Sequence, residues 1–561
     1  MACATVFQKN SILRWGIIVL FFALNVIGVQ CATASITFTD ITEKTGITFK
    51  HVDGSSGEFY IMETISAGLA LFDYDNDGDI DIYFLNGSAL KGAEYKTTPR
   101  NALYRNDGNL KFTDVTEQSG TGDTGFGSGV TIGDYDNDGD LDIYLNNYGP
   151  NVLYQNNGDG TFTDVTKKAG VADGARLGAG ACFLDTDNDG DLDLYVSRYV
   201  EFSYDKNVIF TIEDYPAYPS PVVYVPEPDA LYLNNGDGTF TDISKESGIA
   251  KHRGTGMGMV CGDYDNDGDV DIFIANDGIE NFLFQNNGNN KFEEIGLIAG
   301  VAYDFAGKQY GSMGVDCGDY NNDGLLDLYV TSDRWTSLYK NLGNGLFEDV
   351  TFSTSAGDGM HNYASWGTGF ADFDNDGDRD IFVAIGHIQP NVDKYSDHLT
   401  YFARNEILMN TGDGKFVNIT DKAGDGMKVK LSTRGAALGD MDNDGDIDIV
   451  VLNSRREPTI LRNDSVNDNH WIEIHLKGVK SNRNGIGAHV KVVTKDLSQL
   501  DEVHSGRGYQ GHYGLRLHFG VGKHKKIDRI EVKWPGGTVD VLKNVKADQV
   551  ITITEGKKTT Q

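Results

Sequence analysis

The stretch Asp73-Tyr74-Asp75-Asn76-Asp77-Gly78-Asp79-Ile80-Asp81 constrains this chain more than any other. In a tight loop, side-chain oxygens at positions 1, 3, 5 and 9 converge on one centre, position 7 adds a backbone carbonyl, and glycine at position 6 permits the sharp turn. Such a set suits a hard cation taking about six to eight oxygens, calcium ahead of magnesium on ligand number. Alone, the stretch also reads as an acidic surface turn. It occurs, however, seven times. Positions 1, 3, 5, 7 and 9 are Asp73, Asp75, Asp77, Asp79 and Asp81, then Asp134, Asp136, Asp138, Asp140 and Asp142. The third and fourth copies hold Asp185, Asp187, Asp189, Asp191 and Asp193, and Asp263, Asp265, Asp267, Asp269 and Asp271. The fifth departs, with Asp319, Asn321, Asp323, Leu325 and Asp327. Asp372, Asp374, Asp376, Asp378 and Asp380, and Asp440, Asp442, Asp444, Asp446 and Asp448, complete the series.

Two further motifs travel with the loop. Leu-Tyr-x-Asn or a variant follows each copy, as Leu103–Asn106, Leu153–Asn156, Leu231–Asn234, Leu283–Asn286 and Leu338–Asn341, shortened to Leu408–Asn410 and Leu461–Asn463. Phe-x-Asp-Val-Thr or a variant begins at Phe112, Phe162, Phe240, Phe292, Phe347 and Phe416. Its seventh copy stands first, at Phe38-Thr39-Asp40-Ile41-Thr42. Each unit therefore reads as four short strands joined by turns, the size of a propeller blade. The unit ending at Asn463 lacks its last strand, and the segment at Phe38 supplies it, closing the ring and leaving no edge unpaired. The expected fold is all-β: a seven-bladed β-propeller over 35–467, followed by a small β-domain over 468–556 and a tail, 557–561.

The loops lie between strands, and none carries the position-12 glutamate of an EF-hand; in the first copy that place is Phe84. Two like charges about 4 Å apart repel by roughly 4 kcal/mol at an effective dielectric of about 20, so loops this acidic call for counter-ions. A catalytic metal needs an open coordination position and a neighbouring base, whereas no loop carries histidine. Structural calcium, up to seven ions, is the expectation.

The first 34 residues read as a cleaved export signal, with Lys9 and Arg14 ahead of the apolar run from Ile17 to Leu24 and Ala32-x-Ala34 before Ser35. Asn25 and Gly28 interrupt the run, which is short for a membrane span. The remaining cysteines, Cys182, Cys261 and Cys317, each stand just before a loop and read as buried small side chains. Asn86-Gly-Ser, Asn418-Ile-Thr and Asn463-Asp-Ser are glycosylation sequons in a eukaryotic host. A formal charge of −35 argues against nucleic acid as a partner.

These repeats resemble the FG-GAP/VCBS repeats of integrin α-subunit propellers and exported bacterial proteins. Ser481–Ala488, Ser505-Gly506-Arg507-Gly508-Tyr509, His518-Phe519-Gly520-Val521-Gly522 and Glu531–Gly537 resemble the ASPIC/UnbV domain. Together they are similar to the cartilage acidic protein family and its bacterial relatives. The resemblance implies an extracellular, calcium-binding protein of adhesive or ligand-binding character and carries no family-wide chemistry. Gln510-Gly511-His512 departs from the Ser-Gln that commonly follows the Gly-Tyr there.

From Asp468 onward the balance reverses to 16 Lys+Arg against 10 Asp+Glu, and a basic domain tethered to an acidic ring is expected to dock on it. His475, His489, His504, His512, His518 and His524 have no zinc-ligand spacing.

Chain polarity places the acidic loops on one side of the ring. The two long insertions, Ser197–Asp229 and Gly386–Arg404, fall on the other, and aromatic loops on a rigid scaffold suit binding. They read equally as a cover. Five residues before each loop stands a glycine: Gly68, Gly129, Gly180, Gly258, Gly314, Gly367 or Gly435. Near them Arg176, Arg253, Tyr310, Trp366 and Arg434 are expected to ring the channel mouth, a set suited to an anionic or carbohydrate ligand. A secreted, monomeric binding or adhesion protein is thus expected, extracellular (or periplasmic or surface-bound in a bacterium), its ligand a protein, glycan or matrix component. A polysaccharide-active enzyme with its site at that mouth, and a scaffold acting through its C-terminal domain, are the alternatives. No nucleophile motif, paired carboxylate outside the loops or cofactor fingerprint favours the enzyme.

Overall fold

The computed structural model describes residues 36–557 apart from 67, 361 and 362, so the expected export signal lies outside the described residues. Antiparallel four-stranded sheets follow one another along the chain. The first comprises Leu69–Phe72, Asp81–Phe84, Ala102–Asn106 and Phe112–Asp114, with the acidic loop as its first turn. Later units repeat this order, and the innermost strands neighbour one another in a cycle in which Thr433–Gly439 returns to Leu69–Phe72. The second and third sheets are continuous, because Arg176 and Leu177 pair with Gly149 and Tyr148. The last unit is completed as its missing strand requires: Phe38, Thr39 and Asp40 pair with Asn463, Arg462 and Leu461. The result is a propeller of curled sheets closed by its own N-terminal strand.

The first two strands of a unit are buried on both faces, as in Leu69–Phe72 and Asp81–Phe84, whereas the outermost, such as Phe112–Asp114, buries only its first residue. The core is accordingly divided among the gaps between sheets. Ala70, Phe72 and Tyr83 of the first sheet, for example, pack on Val130, Ile132 and Ile143 of the second. The glycines near the axis permit this approach. A Cβ on Gly129 would stand 2.0 Å from the Ala179 carbonyl oxygen, and one on Gly314 2.3 Å from that of Trp366. Cys182, Cys261 and Cys317 are free and buried, as expected. Asn86 and Asn463 are 5% and 2% exposed and hydrogen-bonded inside the fold, which leaves Asn418 as the sequon a glycan can reach.

The C-terminal part forms two sheets. Arg516–Gly522, His470–Lys477 and Gln549–Thr554 make one; Ser498–Glu502, His489–Val493, Lys526–Lys533 and Val539–Lys546 make the other. Ile472, Val490, Phe519, Ile530, Val532 and Trp534 fill its core. As the charge reversal suggested, it seats on the acidic-loop face. Arg516 donates to the Gly78 carbonyl (2.9 Å), and the Asn484 side chain accepts from the Asp134 N–H (2.8 Å).

One segment of this domain runs down the ring axis. Backbone bonds join Gly508 to Val315 (2.8 and 3.0 Å) and His512 to Leu69 and Leu71 (3.0 and 2.9 Å), and the Gln510 carbonyl accepts from Val130 (3.2 Å). The Ser505 hydroxyl donates to Ile132 (2.6 Å) and that of Tyr513 to Thr368 (3.1 Å). Inner strands of a propeller present unpaired peptide groups to the channel, and buried peptide groups need partners; residues 504–514 supply them. Arg507 travels with its counter-charge, Asp316, at 2.6 Å, both side chains at most 4% exposed.

Candidate functional site

Each acidic loop is held open around a centre by its own backbone. In the first, the Asp73 carboxylate accepts from the N–H groups of Asp77 (3.1 Å) and Gly78 (2.9 Å). Asp81 accepts from Tyr74 (3.0 Å) and, across the unit, from the Asn106 N–H (2.7 Å). Asn76 has φ 59° and Gly78 φ 96°, so the fourth and sixth positions both occupy left-handed backbone. Asparagine tolerates that region better than most residues, which accounts for its place beside the glycine in every copy.

This geometry gathers carboxylates. Oxygens of Asp73, Asp75 and Asp81 lie within 4.8 Å of one another, as do those of Asp134, Asp136 and Asp142, and of Asp372, Asp374 and Asp380. Asp185, Asp187 and Asp189, and Asp263, Asp265 and Asp267, form like groups. The Oδ1 atoms of Asp75, Asp136 and Asp442, all at position 3, are buried without any hydrogen-bond partner. Burial pushes Asp73 up to about 6, Asp134 to about 7 and Asp81 to about 9, with backbone N–H groups only partly offsetting it. Buried acceptors without donors, on acids whose carboxyls burial pushes up, fit a divalent cation, which would supply both the missing partner and the missing charge.

Two asparagine circuits link the loops, and neither was read from the sequence. The Asn of Leu-Tyr-x-Asn reaches back to the preceding unit: Asn156 donates to the Tyr74 carbonyl (2.9 Å), Asn234 to Tyr135 (2.8 Å), Asn286 to Thr186 (2.9 Å) and Asn341 to Tyr264 (2.9 Å). Asn410 donates to Tyr320 (2.8 Å), Asn463 to Phe373 (3.0 Å) and Asn106 to Met441 (2.8 Å), which closes the circle. The second circuit runs forward. Position-4 side chains donate to the position-7 carboxylate of the next loop, Asn76 to Asp140 (2.8 Å) and Asn443 to Asp79 (2.8 Å) among them. The sequence assigns position 7 a backbone role alone. Its carboxylate is thus a structural acceptor, and Leu325 interrupts this circuit between the fourth and fifth loops.

The opposite face corrects an expectation. Arg176, Arg253, Tyr310, Trp366 and Arg434 do not share a ligand site. Arg434 lies 3.9 Å above the Trp366 ring, both 1% exposed, and donates to the Thr64 and Thr433 carbonyls (2.9 and 2.8 Å). Arg176 pairs with Glu227, Arg253 pairs with Glu201 (3.2 Å), and Tyr310 lines a separate crevice beside Ser312 and Trp335. The mouth is filled from within by Tyr509, packed edge-on against Trp366 with its hydroxyl on the Ile65 carbonyl (3.1 Å). The two insertions meet over it. Tyr218 and Gln389 exchange hydrogen bonds of 2.8 and 3.0 Å, and Asn391 donates to Pro216 (2.8 Å). They are therefore a cover, with Ile209 84%, Val222 56% and Phe210 44% exposed on its outside.

Residues 478–560 match the ASPIC and UnbV family, and residues 73–145, 134–196, 222–274, 263–330 and 319–383 match the FG-GAP-like repeat. Cartilage acidic protein 1 of Homo sapiens is 28% identical over 343 residues, covering 59% of this chain and 48% of that protein. Its Xenopus tropicalis counterpart is 25% identical over 520 residues, covering 85% and 71%. The chain spans about half the length of the human and mouse relatives it matches. Among solved structures, an Agrocybe aegerita lectin described as recognising non-reducing terminal N-acetylglucosamine is 16% identical, with a TM-score of 0.35 over 63% of this chain and 79% of its own, a likeness too loose to bear on function.

Proposed function

The chain belongs to the FG-GAP-like repeat family, with an ASPIC and UnbV region over residues 478–560, and from that premise we propose that it is an exported, calcium-stapled binding protein. Calcium in the acidic loops stiffens one face, and the ligand is an extracellular protein or matrix component held on the cover of the other. The observation that carries the calcium reading is the row of partnerless, buried position-3 oxygens. Binding is assigned to the cover because residues 504–514 occupy the channel and the exposed apolar side chains Ile209, Phe210, Val222 and Val223 gather on one insertion. An acidic chain, 83 Asp+Glu against 48 Lys+Arg, related to a protein named for cartilage and acidity, fits such a setting. Among the described residues no helix is long and apolar enough to cross a membrane.

A matrix-protein and glycan array probed with the full chain tests this. Binding in calcium that disappears in chelator, and that weakens in an Ile209→Ser, Phe210→Ser double variant, is the expected result. Binding unchanged by both would overturn the assignment.

A further inference from the structure

The loops are not equivalent, and the fourth differs where the C-terminal domain touches it. In the other six, the position-5 N–H donates to the position-1 carboxylate: Asp77 to Asp73 (3.1 Å), Asp138 to Asp134 (3.0 Å), Asp189 to Asp185 (3.1 Å), Asp323 to Asp319 (3.0 Å), Asp376 to Asp372 (3.0 Å) and Asp444 to Asp440 (3.1 Å). In the fourth, the Asp267 N–H turns to Asp265 instead (3.2 Å). The Asp263 Oδ1 it leaves behind is buried with no partner, on a side chain only 8% exposed.

Two charged groups of the C-terminal domain stand on this same residue. Lys533, last residue of the strand Lys526–Lys533, places its ammonium 3.7 Å from Asp263 Oδ2. Glu502 accepts from the Asp263 N–H (3.2 Å) and is itself held by His489 (2.8 Å). Beside them a cavity of about 300 Å³ opens between the domains, and Asp263, Asp267, His489, Glu502 and Lys533 all line it. The loop thus keeps its acidic groups, has Asp263 Oδ1 free to bind, adjoins open space, and carries a positive side chain beside the other oxygen of that same carboxylate.

We propose that the fourth loop is a weak, exchangeable cation site in which Lys533 competes with the metal for Asp263. The proposal rests on the calcium reading above. A neighbouring ammonium repels an arriving divalent ion and neutralises one of its ligands. Lys533 is 48% exposed, so solvent screens that repulsion and limits it. Roughly a tenfold loss of affinity is expected, about 1.4 kcal/mol. The fifth loop offers a contrast. Its weakness is internal, from Asn321, Leu325 and a lysine of its own unit, Lys340, 3.2 Å from Asp323.

Calcium titration of the full chain against a competing chromophoric chelator, with near-ultraviolet circular dichroism to confirm the fold, tests the proposal. Wild-type protein should bind calcium in a tight and a weak class, and Lys533→Gln should move one ion from the weak class to the tight, about tenfold tighter. Lys526→Gln removes the same charge from the exposed far end of the same strand and should move none. Elemental analysis after gel filtration in the chelator should find one more calcium per chain in Lys533→Gln than in wild type. A Lys533→Gln titration that superimposes on wild type, or an equal change in Lys526→Gln, overturns the competition while leaving the calcium reading intact. No calcium bound by any form overturns both.

Discussion

The two faces of the ring are built on different rules. On the acidic-loop face the same parts recur unit after unit: a glycine turn, an asparagine reaching the next loop, and another reaching back to the one before. The other face is built from exceptions. One inserted pair of loops meets through Tyr218 and Gln389, one arginine is stacked on one tryptophan, and one tyrosine arrives from another domain. Repetition distributes stability over many small, equivalent bonds, whereas the exceptions concentrate it in single contacts. Single substitutions should therefore hurt most where the fold is least regular.

The largest effect is expected at Arg507. Replacing it with methionine leaves Asp316 buried without its counter-charge, which should cost about 3–5 kcal/mol in denaturant unfolding and expose the domain junction to limited proteolysis. A cost under about 1 kcal/mol would show that the axial segment is passive filling. Within the regular face the effect should be smaller. Asn410→Ala strips the Tyr320 and Arg379 carbonyls of their donor (2.8 and 3.2 Å) and should cost about 1–3 kcal/mol. Asn106→Ala and Asn463→Ala should behave alike, and a wide spread among them would break the equivalence claimed for that face.

A pH series sharpens the contrast further. Asp73, Asp134 and Asp81 sit at about 6, 7 and 9 without metal, raised by burial from 3.8. The folded chain then keeps protons that the unfolded chain has released. Stability of the chelated protein is full below about pH 4 as far as these groups are concerned, and falls as pH rises through 6 to 9. Calcium replaces those protons, so the loaded protein should show little of this decline in thermal melts between pH 5 and 8. Parallel decline in both forms would contradict the assignment of these acids to the metal. The smallest effect is expected on the cover, where Ile209→Ser should change stability by no more than about 0.5 kcal/mol while weakening ligand capture.

What was legible in the sequence was whatever repeats. The loops, the strand order and the closing strand at Phe38 all follow from aligned copies, and the pairing of Phe38 with Asn463 follows from one copy standing out of place. Asn410 and Asn463 persisted even in the shortened motifs, a sign that the asparagine mattered more than the residues before it. Its partner, a carbonyl in the neighbouring unit, has no side-chain signature and stayed hidden. Arg434 was visible as a charge near the axis but not as a buried one, because its stabilising partners are carbonyls and the Trp366 ring. Residues 504–514 were least legible of all. Their bonds reach residues such as Leu69 and Ile132, several hundred positions away, and no period connects them.

Calcium is proposed to hold the acidic-loop face together, and a thermal melt of the full chain in calcium and in excess chelator tests that most directly. Each site filled at about 100 times its dissociation constant contributes roughly 2.7 kcal/mol, so several sites together should separate the two melting temperatures by many degrees, reversibly on adding calcium back. Coincident melting curves would contradict it.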